Sequence, residues 1–179
     1  MAGLLAFCRV VDAINAKLAI VANFLVLLAC LVSAGNAMVR YGFSLSSNAW
    51  LEIQWYMFAG MVMLGASYTL NVNEHVRVDI LYGGASTRRQ IWIDILGSVL
   101  FLLPMCALIG WFSWDIFLRS YALNEGSFNA GGLLRWPVKF LIPFGFALLF
   151  LQGMSEIIKR IAALQGRYQL THVYHKPLQ

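Results

Sequence analysis

Three groups of residues carry side chains from which chemistry is usually built. Glu74, His75 and Asp79 are metal-ligand types within one short stretch, and His172 and His175 stand at helical spacing near the C-terminus. The first group reads as a metal site or as an interfacial loop with its charges in water. The second reads as a ligand pair or as part of a solvated tail. Glu52 follows Asn48 by four residues, so Asn48 could cap a helix whose first turn holds the carboxylate at the positive end of the dipole. Its other reading is a contact with a partner subunit.

No catalytic set is complete. A haem-binding bundle needs histidines projecting into its core, and His75, His172 and His175 all fall outside the apolar stretches. A membrane thiol oxidase needs cysteine pairs in outer loops; here Cys30 and Cys106 lie inside apolar stretches and Cys8 near the N-terminus. The odd count argues for free, small apolar residues over a disulfide framework. No phosphate-cradling Gly-x-x-x-x-Gly-Lys loop occurs. The expectation is a protein without enzymatic activity, bound cofactor or metal.

The elements that would position these residues are membrane spans. The chain is 60% hydrophobic and 12% charged, about half the charged fraction of a soluble domain. Leu18 to Val39, Ile53 to Asn73, Ile95 to Trp114 and Phe140 to Ser155 contain no Asp, Glu, Lys or Arg. A crossing helix needs about 20 apolar residues, and Trp136, Pro137 and Val138 can lengthen the fourth stretch. The expected fold class is all-α integral membrane, with four transmembrane helices near 18–39, 53–73, 95–114 and 137–155. They form one domain over residues 1–170, followed by a polar tail at 171–179. Leu4, Phe7, Cys8, Val11, Ile14 and Leu18 recur at helical spacing. Residues 1–17 therefore read as an amphipathic helix that lies on the membrane surface and runs into the first span, or alternatively as a simple extension of that span.

Four spans put both termini on one side. That side holds Arg9, Lys17, Arg77, Arg88, Arg89, Lys159, Arg160, Arg167 and Lys176; the other holds only Arg40, Arg119, Arg135 and Lys139. The excess of cations predicts cytoplasmic N- and C-termini. The net charge of +5 is then a topology signal, with no sign of a nucleic-acid partner. Trp50, Trp55, Trp111, Trp114 and Trp136 fall at the expected outer ends and Trp92 at an inner end, as indoles do at headgroup level. An intramembrane ionisable residue usually marks a substrate path, and these spans have none, only groups such as Asn23, Ser33, Ser67, Ser98 and Gln152. A complete transporter is not expected. Gly65 and Thr69 stand four apart, as in a close helix contact within the chain or with another protein.

Four segments carry a family resemblance. They are Asn36-Ala37-Met38-Val39-Arg40-Tyr41; Asn48-Ala49-Trp50-Leu51-Glu52-Ile53-Gln54-Trp55-Tyr56; Asn73-Glu74-His75-Val76-Arg77-Val78-Asp79-Ile80-Leu81-Tyr82; and Gly131-Gly132-Leu133-Leu134-Arg135-Trp136-Pro137-Val138-Lys139, followed by Ile142-Pro143-Phe144-Gly145-Phe146 and Gln152. In this order around four spans, the chain resembles the small membrane subunit of tripartite ATP-independent periplasmic (TRAP) transporters, the DctQ-type small permease. The resemblance implies a bacterial inner-membrane protein. Its partners would be a large membrane subunit that moves as an elevator, a periplasmic solute-binding protein and membrane lipids. The small subunit would brace the large one in secondary-active uptake of a solute, usually an organic acid. A free-standing four-helix assembly factor or quinone-site anchor is the alternative. The candidate partner or lipid contacts are Arg40, Glu52, His75, Arg77, Asp79, Trp136 and Lys139. His75, Arg77 and Asp79 alternate with Val76, Val78 and Ile80, which gives an extended segment one polar and one apolar face.

Overall fold

A computed structural model describes residues 2–45, 47–74 and 85–169. His75, Arg77, Asp79 and the tail from 171 onward lie outside the described residues. The described chain forms four helices: α1 Ala2–Phe43, α2 Asn48–Asn71, α3 Thr87–Ala122 and α4 Trp136–Leu164. Three of them, α1, α3 and α4, are long and apolar enough to cross a membrane, so the chain is a multi-pass membrane protein. α2 has 24 residues, about 36 Å at 1.5 Å per residue. Gln54, Tyr56, Ser67, Tyr68, Thr69 and Asn71 dilute its apolar character. The expected four spans are thus matched by length and composition in three.

Residues 2–17 are not a helix apart from the first apolar stretch but run directly into it. α1 is one continuous helix of 42 residues, about 63 Å long, roughly twice the hydrocarbon thickness. Nothing between Arg9 and Lys17 breaks a helix. Cys8 and Val11, part of the N-terminal apolar stripe, are buried on the same face as Asn15, Ala19 and Ala22. Those two pack against protein, while Leu4, Phe7 and Ile14 of the stripe stay exposed.

α4 is central and packs against each of the other three helices, while α1 and α2 pair with each other and α3 leans chiefly on α4. The apolar core is small: Ala22, Leu64 and Leu148, with Leu18, Leu25 and Phe144 around them. α3 contains a wide π-turn at Ser98–Leu102, where the Leu103 N–H bonds to the Ser98 carbonyl five residues back. Pro104, which has no N–H to donate, follows at once. Asn73, Asn124 and Gly166 adopt positive φ just beyond the ends of α2, α3 and α4, the left-handed cap that asparagine and glycine tolerate best.

Candidate functional site

Polar chemistry concentrates at the two ends of α4. At its C-terminal end, Gln152, Ser155, Glu156, Lys159 and Arg160 are all buried. The spacing of Glu156, Lys159 and Arg160 puts them on one helical face, which α1 and α3 cover. Lys159 Nζ lies 3.1 and 3.2 Å from the two carboxylate oxygens of Asp12 and 3.0 Å from Asn71 Oδ1, and it also pairs with Glu156. Arg160 donates from Nε to Asp94 Oδ2 at 3.1 Å and pairs through Nη1 with Glu156. Gln152 donates to Asp12 and Glu156, and its carbonyl accepts from Asn15 at 2.6 Å. The Ser67 hydroxyl donates to Asn15 Oδ1 at 3.0 Å, which brings α2 into the same network.

Buried Glu156, Lys159 and Arg160, with Asp12 and Asp94 keeping 26% and 17% side-chain exposure at the edge of the cluster, are tolerated because each has opposite charge beside it and hydrogen bonds around it. The arrangement fixes the rotation and height of α1, α3 and α4 relative to one another. The charge-free stretches contain none of these charged residues. The charges sit instead just beyond those stretches, inside helices that continue past them. A visible signal was the spacing of Gln152, Glu156, Lys159 and Arg160 on one face; another was Asp12 and Asn15 beside the buried Cys8 and Val11.

At the other end, residues 123–135 form a hairpin between α3 and α4. Gly126 bridges Leu134, Ser127 N–H donates to the Leu133 carbonyl at 2.9 Å, and Arg135 N–H donates to the Glu125 carbonyl at 2.8 Å. Glu52, only 4% exposed, pins this loop to α2. Its carboxylate accepts from the Leu133 N–H at 2.7 Å, Asn129 Nδ2 at 2.8 Å and the Ser127 hydroxyl. Those bonds, Leu133 first, hold its pKa below the usual carboxylate range. Asn48 and Tyr56 donate to the carbonyls of Ala130 and Leu134, each at 3.0 Å. Asn48 is therefore a loop anchor; the α2 cap position is Ser47, without a side-chain cap bond. A Cβ on Gly132 would stand 2.4 Å from Ser127 Cβ and 2.8 Å from Glu52 Oε1, so the pinned turn requires glycine there.

Among the sequence candidates, Glu52, Trp136 and Lys139 border this hairpin. Lys139 pairs with Glu125, which lowers the Glu125 pKa. Trp136 meets the Tyr121 ring edge-on at 5.3 Å. Arg40 stands exposed near the end of α1, its guanidinium 5.1 Å from the Tyr41 ring. The three cysteines are free. Among the described residues no cluster of His, Cys, Asp and Glu is arranged to hold a metal.

Two relatives show similarity. One is named as a TRAP transporter small permease protein of Haemophilus influenzae, 29% identical over 94 residues, which are 51% of this chain and 58% of that one. The other is the C4-dicarboxylate TRAP transporter small permease protein DctQ of Pseudomonas aeruginosa, 28% identical over 107 residues, 59% of this chain and 50% of that one. The chain thus spans about half the length of the curated relatives it matches. No solved structure matches. The family model for tripartite ATP-independent periplasmic transporters, DctQ component, matches residues 28–163, and the chain therefore belongs to the DctQ family of transporter subunits, which are not enzymes.

Proposed function

We propose that this protein is the small scaffold subunit of a secondary-active, binding-protein-dependent transporter, and that it braces a large elevator-type membrane subunit. The solute class is organic acids, and a periplasmic binding protein delivers it. α2 is the fourth span, both termini are cytoplasmic, and the chain sits in the bacterial inner membrane. One observation carries the reading. The buried charge of the bundle is compensated within the chain and ties its helices to one another, as suits a rigid brace. Arg40, Trp136 and Lys139, with His75, Arg77 and Asp79 of the inner loop, are proposed contacts with the large subunit or with lipid headgroups. Glu52 supports them indirectly through the hairpin.

Reconstitution tests the proposal. The isolated chain in liposomes should move no solute. Together with the large subunit and binding protein it should support uptake driven by an ion gradient without ATP. Uptake by the isolated chain would refute the scaffold role.

A further inference from the structure

At the end of the bundle that carries the hairpin, the last turns of α1 and the first turn of α2 enclose a cavity of about 300 Å³. Gly35, Asn36, Val39, Leu45, Ser47 and Trp50 line it. Its walls are of two kinds. Val39, Leu45 and the indole ring are apolar. The Asn36 carboxamide, the Ser47 hydroxyl and the indole N–H are polar, and among the described residues none of them makes a hydrogen bond. No side chain caps the first turn of α2 either, so backbone N–H groups at the positive end of the helix dipole stay open beside the cavity. Arg40, one turn beyond Asn36, is exposed and has no carboxylate partner among the described residues.

The charges of the chain mark the depth of this cavity. No charge stands between Lys17 and Arg40 in α1, Asp94 and Asp115 in α3, or Lys139 and Glu156 in α4. At 1.5 Å per residue these intervals are about 34, 32 and 26 Å, close to one hydrocarbon thickness of about 30 Å. Arg40, Asp115 and Lys139 therefore mark one boundary of the hydrocarbon, and the cavity lies where hydrocarbon gives way to headgroups. Its occupant is small, because a single helical turn, about 10 Å across and 5.4 Å tall, exceeds the cavity. The occupant must bring acceptors for a guanidinium and for N–H and O–H donors, and an apolar part for Val39 and Leu45. A glycerophospholipid carries these groups in the required order. Its phosphate suits Arg40, which binds phosphate bidentately, and the open end of α2. Its ester carbonyls suit the carboxamide, hydroxyl and indole donors, and its chain continues along the apolar wall.

We infer that this cavity holds one glycerophospholipid, its phosphate on Arg40 and its ester carbonyls on Asn36, Ser47 and Trp50. The site assigns Arg40 to lipid and stands or falls independently of the scaffold role. The chain is purified in detergent, incubated with phosphatidylglycerol and freed of excess lipid by gel filtration, and native mass spectrometry counts the lipid retained. One phosphatidylglycerol per chain should remain. Among variants that elute like the unsubstituted chain, Arg40→Gln should lower retention about tenfold and Arg40→Lys much less. Gly35→Leu should lower it as well: a Cβ on Gly35 meets nothing within 4 Å, so the larger side chain grows into the cavity. Arg119→Gln removes an exposed cation of α3 at the same end of the bundle and should change nothing. No retained lipid, or equal retention in all four variants, overturns the assignment. Complete displacement of the lipid by millimolar inorganic phosphate overturns it too, leaving a simple anion site. So does loss of a co-expressed large subunit with Arg40→Gln while lipid retention is unchanged, which makes the arginine a protein contact.

Discussion

Lys159→Met isolates the work done by the charged cluster. The substitution keeps most of the apolar stem and removes the ammonium. Asp12 loses two contacts of 3.1 and 3.2 Å, Asn71 loses one of 3.0 Å, and Glu156 retains only Arg160 as a cationic partner. The side chains of Lys159 and Glu156 are 6% and 7% exposed and that of Asp12 26%, so water replaces the lost partner in part at Asp12 and hardly at all deeper in the cluster. Removing one member of a buried ion pair costs about 3–5 kcal/mol, most of it the stranded charge. For a chain of this size that lowers Tm by on the order of 10 °C. The assay is thermal unfolding in detergent, followed by tryptophan fluorescence. Lys17→Met, at an exposed position of α1, is the control and should stay within about 0.5 kcal/mol. Adding Asp12→Asn to Lys159→Met removes the stranded charge and should recover much of the loss. If Lys159→Met melts with Lys17→Met, the cluster is hydrated and the helices are held some other way.

Three further outcomes are expected. Gly145→Ala places a Cβ 2.8 Å from Met63 Cβ and 3.0 Å from the Met63 carbonyl oxygen, and it should destabilise by about 1–3 kcal/mol. Gly35→Ala meets nothing and should be neutral or gain up to about 1 kcal/mol; equal melting of the two would contradict the tight α2–α4 contact. The depressed pKa values of Glu52 and Glu125 mean that the folded state binds fewer protons than the unfolded one below the ordinary carboxylate value of about 4.3. Their contribution is complete above that value and fades as pH falls through the depressed values. The Leu133 amide NMR signal should accordingly hold still from about pH 8 to 5 and move only in stronger acid. Movement above pH 5 would refute the pinning. In a cysteine-free background Phe128→Cys, at a position 90% exposed, should react with an impermeant thiol reagent in intact cells and Thr171→Cys should not; the opposite pattern inverts the proposed orientation.

The helices were legible because hydrophobic stretches and their charged borders are local in sequence. Family membership was legible too, since the Trp136-Pro137 entry to α4 and the Asn48-to-Tyr56 opening of α2 are contiguous strings. The charged cluster was not, because its pairings join residues as distant as Asp12 and Lys159. Sequence separation hides such a pairing even when each helix shows half of it. The surroundings of the N-terminal half of α1 were not legible, because an apolar stripe alone does not distinguish burial against lipid from burial against α4. The role of Asn48 was hidden for a similar reason. A cap is predicted from near neighbours, whereas its amide reaches Ala130, 82 residues away.

The wide turn in α3 also governs how this protein can change length. A π-turn is an α-helix that has absorbed one additional residue without rotating what lies on either side. Cys106, Ser113 and Ser120 are buried beyond the turn, and Ile95 is buried before it with Asp94 bonded to Arg160. Losing one residue from Ser98–Leu102 would restore regular winding and leave both sets oriented as they are. Losing one between Cys106 and Ser120 would swing the buried residues after the gap by about 100° relative to those before it. Insertions and deletions in α3 among descendants of this chain should therefore collect in those five positions, with the flanking stretches fixed in length.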